Sequence, residues 1–69
     1  QSFRLREKYV GRVLSVLTEA PDEEGTSAHT ANFLPVRVRA DKALRANQII
    51  TVNLIGNTPE GLIGIPYEN

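Results

Sequence analysis

The chain has 69 residues, no cysteine, one histidine and a formal net charge of zero, from eight basic and eight acidic side chains. That inventory excludes disulfides, thiolate metal sites and cysteine nucleophiles, and it argues against nucleic-acid binding through bulk charge alone. One small core is the most it supports, since a chain this short buries only about 60% of the surface that its unfolded form exposes.

In chain order, Ser2–Lys8 reads as the tail of a helix or an extended lead-in, with Ser2 as a cap and Phe3 and Tyr9 as apolar anchors. Tyr9–Glu19 holds the densest aliphatic run, Val10, Val13, Leu14, Val16 and Leu17, and reads as a long strand with Gly11 as a bulge. Ala20–Gly25 reads as a loop: Pro21 breaks the strand, three acids follow, and Gly25 allows a positive φ. Thr26–Thr30 is a short second strand, and Thr30 and Asn32 favour a turn after it.

Phe33–Arg39 alternates with a period of two and reads as the third strand. Leu34, Val36 and Val38 face inward, while Phe33, Pro35, Arg37 and Arg39 face outward. Pro35 lacks a backbone donor, which places this strand at an edge or an opening. Asp41–Gln48 leans towards a helical turn, with Asp41 as N-cap. Ile49–Ile55 alternates again, Ile50, Val52 and Leu54 against Ile49, Thr51, Asn53 and Ile55. Asn57–Gly61 is a turn cluster, Leu62–Ile65 a last strand, and Pro66 ends the pattern. Short strands with tight turns in so few residues predict an all-β fold, a small five-stranded antiparallel OB-like barrel. Residues 1–8 form its lead-in, 9–66 the barrel and 67–69 a tail.

Catalytic chemistry has little to work with. His29 is the whole imidazole supply and reads as a solvated loop residue, and no nucleophile elbow surrounds Ser2, Ser15 or Ser27. Asp22, Glu23 and Glu24 are adjacent in one loop and read as a solvated acidic stretch. Gly61-Leu62-Ile63-Gly64 lacks the spacing of a phosphate-binding loop. The chain is therefore expected to have no catalytic site, metal or cofactor of its own. No apolar run approaches the ~20 residues that span a bilayer. The charged opening lacks a secretory signal, and the absence of cysteine fits a reducing, cytoplasmic setting. The missing initiator Met suggests a piece of a longer protein.

Binding is what remains. Arg4, Arg6, Lys8 and Arg12 cluster near the start, and Arg37, Arg39, Lys42 and Arg45 form a second basic group. A neutral total can hide a basic face once the fold separates the signs. Phe33, Arg37 and Arg39 share the outward face of one strand, and Arg12 and Lys42 extend it. An aromatic ring flanked by cations suits base stacking and phosphate contact. The alternative is that Phe33 packs on the barrel end and the arginines are merely solvated. Exposed Phe33, Ile49 and Ile55 also allow a second use, docking onto another protein surface.

The order of these segments resembles a known family. Tyr9-Val10-Gly11-Arg12-Val13-Leu14-Ser15-Val16-Leu17-Thr18-Glu19 resembles the opening strand of the TRAM domain found at the C-terminal end of tRNA methylthiotransferases. His29-Thr30-Ala31-Asn32-Phe33-Leu34-Pro35-Val36-Arg37-Val38 resembles its Thr-x-Asn-aromatic segment, in the form closest to the threonylcarbamoyladenosine branch. Asn47–Leu54 and Gly61–Ile65 resemble its last two strands. The resemblance implies an OB-like barrel that helps a larger enzyme hold its tRNA, with Thr30, Asn32 and Phe33 as the motif residues. The parent would be a radical S-adenosylmethionine enzyme with iron–sulfur clusters, whose cysteine ligands this chain lacks. The expectation is a monomeric tRNA-binding accessory domain that also meets the parent's catalytic domain, with contacts at Arg12, Thr30, Asn32, Phe33, Arg37, Arg39 and Lys42.

Overall fold

The period-two stretches fold as strands, and the strands close on themselves. The structure, a computed structural model, describes residues 3–42 and 44–67. A short helix, α1 (Phe3–Glu7), precedes five strands: β1 (Val13–Asp22), β2 (Gly25–His29), β3 (Pro35–Val38), β4 (Ile49–Thr58) and β5 (Gly61–Pro66). They form a closed barrel in the order β1-β2-β3-β5-β4. All neighbouring pairs run antiparallel except β3 and β5, which run parallel, so the barrel is mixed rather than wholly antiparallel.

The two ten-residue strands make closure possible. β1 pairs with β4 over Val13–Leu17 and with β2 over Leu17–Asp22, with an irregularity between Thr18 and Pro21. β4 pairs first with β1 and then with β5, with its register shifting between Leu54 and Gly56. Such bulges sharpen bending, which lets one strand serve two sides. Inward residues alternate as expected: Val16, Ala28, Leu34, Val36, Val38, Val52, Leu54 and Leu62 form the core. Tyr9, Leu14, Leu44 and Ile50 pack partly buried against it.

Several local expectations fail for identifiable reasons. β1 begins at Val13, not Tyr9: residues 8–11 turn off α1, and Gly11 sits there at φ +95° rather than in a bulge. Pro21 does not end β1, because it pairs with Thr26 and the hairpin turn needs only Glu23 and Glu24. The positive φ expected of Gly25 is present at +132°, where an added Cβ would stand 2.6 Å from the Val38 carbonyl oxygen. Pro35 opens β3, a position that tolerates its missing donor. The helical leaning of 41–48 is not realised among its described residues; Ala43 and the Ser2 cap lie outside them.

Buried polar groups fasten the connections. Thr18 is buried, and its hydroxyl donates to the Arg45 carbonyl at 2.6 Å and accepts from the Gln48 amide at 2.8 Å. That pair of bonds holds the 45–48 segment on β1 in place of a helix. Arg6 is 3% exposed and donates to the Thr58 carbonyl at 2.8 Å, the Pro59 carbonyl at 3.2 Å and Asn57 Oδ1 at 3.2 Å. Asn57 Nδ2 donates to the Phe3 carbonyl at 2.9 Å. The lead-in is therefore a docked helix. None of the described helices is long and apolar enough to cross a membrane.

Candidate nucleic-acid interface

Two loops meet at the barrel end that carries α1. The first is the turn after the helix. Tyr9 and Val10 donate their amides back to the Arg6 and Glu7 carbonyls, at 2.9 and 3.2 Å. This turn lays the Tyr9 ring against the core and leaves its outer face to two cations. Lys8 Nζ lies 5.6 Å from the ring centroid and the Arg12 guanidinium carbon 5.4 Å, both within cation–π range.

The second loop is the β2–β3 turn, Thr30–Leu34. Thr30 is buried, and its hydroxyl accepts from the Leu34 amide at 3.0 Å and donates to Asn32 Oδ1 at 2.5 Å. The Thr30 amide donates to the Leu34 carbonyl at 3.1 Å, and the Phe33 amide to the Thr30 carbonyl at 2.9 Å. These bonds turn the chain so tightly that Phe33 sits at φ +64°, in the left-handed region. The residue is 77% exposed. Asn32 Nδ2 reaches towards the Tyr9 hydroxyl at 3.5 Å, the long end of a hydrogen bond, and so joins the two loops.

His29, at the end of β2, stacks on Phe33 with ring centroids 5.6 Å apart and planes 22° apart. Its Nδ1 lies 3.0 Å from Glu19 Oε2. The expectation of a solvated loop histidine is thus corrected: a strand residue lies between a carboxylate and a ring.

The structure brings Arg12, Thr30, Asn32 and Phe33 together but parts them from Arg37, Arg39 and Lys42. Phe33 lies in the turn before β3 and Arg39 just after it. The four residues of β3 therefore put about 13 Å of strand between the two. Arg37 is also committed, with Nη1 2.6 Å from Asp22 Oδ2. That guanidinium, helped by the Glu24 amide at 2.9 Å, holds the Asp22 carboxyl below the ordinary carboxylate range. Arg39 and Lys42 line a depression with Asp22, Glu23, Glu24 and Asp41, where the signs are mixed. The alternation itself holds, with Leu34, Val36 and Val38 buried and Phe33, Arg37 and Arg39 outward, but the strand spans only Pro35–Val38, so Phe33 belongs to the turn before it and Arg39 to the segment after it.

Sequence reasoning missed Lys8, Tyr9 and His29. Tyr9 to Arg12 is a three-residue step that a single turn can fold into one contact. His29 and Phe33 flank the Thr30–Asn32 turn signal, which brings the ends of a hairpin loop together.

Elsewhere, OB barrels bind oligonucleotides on strands 2 and 3 with the β1–β2 and β4–β5 loops. Here those loops carry Asp22, Glu23, Glu24 and Glu60, which repel phosphate. A ring flanked by cations, Tyr9, and an exposed one, Phe33, stand instead in the turn after α1 and in the β2–β3 turn. The clusters implied for the parent find no ligands in this chain, which has no cysteine. Among the described residues no group of His, Asp and Glu is placed to hold a metal ion. No family model matches the chain, and neither does any curated protein.

Proposed function

We propose that this barrel binds single-stranded regions of tRNA through the end formed by Lys8, Tyr9, Arg12, Asn32 and Phe33. The observation that carries this reading is Phe33, a bulky residue in left-handed backbone with an exposed ring. Backbone strain and apolar exposure at one residue mark a position retained for contact rather than stability. Stacking on such a ring with neighbouring cations for the phosphates is how single strands are held without bulk charge. The resemblance to the TRAM domain supports the same partner. In that reading the chain is a cytoplasmic, non-catalytic accessory of a radical S-adenosylmethionine tRNA methylthiotransferase. The alternative is an interaction barrel that docks on the parent enzyme without touching RNA.

Titrating tRNA into the labelled protein at low salt, followed by NMR, tests this. Shifted amides are expected at residues 8–12 and 29–34. Lys8→Gln and Arg12→Gln should each reduce the salt slope by about one unit, whereas Arg37→Gln should hardly change it. Shifts confined to residues 37–42 would overturn the site, and no shift at all would favour docking.

A further inference from the structure

Beside Phe33 lies a groove of about 290 Å³, lined by Ser15, Leu17, His29, Ala31, Phe33 and Ile49 among others. The pairing register explains its shape. Leu17 stands opposite Ile49 on β4 and opposite His29 on β2, so three strands set these residues in one outward row. Leu17 and Ser15 form the floor. Ile49, 77% exposed, is one wall, and the stacked His29 and Phe33 are the other. Two strand spacings separate the walls, roughly 10 Å between backbones. A flat ring touching both sides needs them about 7–8 Å apart.

The surroundings are equally particular. Arg12 precedes Ser15 by three residues, about 10 Å along the chain in extended form. Lys8 and Arg12 both lie against Tyr9, whose hydroxyl Asn32 approaches at 3.5 Å, so positive charge stands beside the loop that carries Phe33, while Glu19 lies against His29 on the same wall. An apolar slot with cations beyond its Phe33 side complements a base attached to its phosphate. We infer that this groove takes one unpaired nucleobase of single-stranded RNA, stacked on Phe33 and closed by Ile49. The inference rests on the RNA-binding reading and adds to it the part of the RNA that is read. A duplex keeps its bases inside and cannot fill the slot.

The test compares a twelve-nucleotide oligouridine, the same sequence as a duplex with oligoadenosine, and an abasic chain of equal length and charge. Binding is followed by fluorescence anisotropy of a terminal label. Oligouridine is expected to bind roughly tenfold tighter than the abasic chain, the scale of one stacked base. The duplex should bind no better than the abasic chain. Ile49→Ala, at an exposed position that leaves the core intact, should weaken oligouridine several-fold and leave the abasic chain unchanged. Equal binding of oligouridine and the abasic chain overturns the slot while leaving phosphate binding in place. So does an Ile49→Ala protein that holds oligouridine as well as the unaltered one. Failure of all three probes to bind overturns the slot and the RNA reading together.

Discussion

At Phe33 the backbone and the side chain oppose each other. Left-handed φ costs an L-residue roughly 1–2 kcal/mol, and glycine avoids that cost. Against this stands the His29 stack, worth about 0.5–1.5 kcal/mol for an aromatic pair. Phe33→Gly is therefore expected to leave stability unchanged or to raise it by up to about 1 kcal/mol, measured by denaturant unfolding. Truncating a core phenylalanine instead costs about 3–5 kcal/mol. The same substitution should weaken RNA binding several-fold, so that stability and affinity move apart. A large loss of stability would mean that the ring supports the fold. Thr30 and Asn32 were legible as turn formers from residue type alone. Phe33 was misread as the first strand residue because its alternation with Leu34 matches a strand. Only the hydrogen bonds between Thr30 and Leu34 show that the turn extends to it.

Among the elements, α1 depends most on side chains for its place. Five residues are far too few for a stable isolated helix. Asn57 ties it down by donating to the Phe3 carbonyl and to Glu7 Oε2 while accepting from Arg6. Asn57→Ala removes these bonds, and a cost of about 1–3 kcal/mol is expected by thermal or denaturant unfolding. The Tyr9 ring should also lose its fixed position, visible as broadened resonances for residues 8–12. An unchanged Tyr9 environment in that variant would show that the turn holds itself. The strands were legible because their inward residues repeat every second position, and Val52 and Leu54 or Val36 and Val38 obey that repeat. The ends of the elements were not. Pro21 and Asn57 look like breakers, yet both lie inside strands, because barrel pairing supplies partners that a local reading cannot see.

For the whole molecule, the charges sum to zero and their pairing is local. Lys8 and Arg12 lie against Tyr9, Glu60 follows the Pro59 carbonyl that takes Arg6 of α1, and Asp22, Glu23 and Glu24 stand together at the β1–β2 hairpin. Arg37 is cancelled there by Asp22. With its folded pKa depressed, Asp22 contributes stability that is present above the ordinary carboxylate value of about 4. That contribution is lost as the pH falls through the depressed value. Unfolding measured from pH 7 downward should show Asp22→Asn weaker than the unaltered protein near neutrality, with the difference vanishing in strong acid. A difference that persists there would assign the effect to the Glu24 turn rather than to the ion pair.

The parallel pairing of β3 with β5 has a consequence for synthesis. β5 is inserted between β3 and β4, so neither of those strands finds its last partner until residues 61–66 exist. While those residues are still inside the ribosome, the nascent chain displays two open edges with unpaired amides and carbonyls. Open edges of that kind invite pairing with other chains. The interval between making β4 and releasing β5 is the period in which this protein most needs protection from its neighbours.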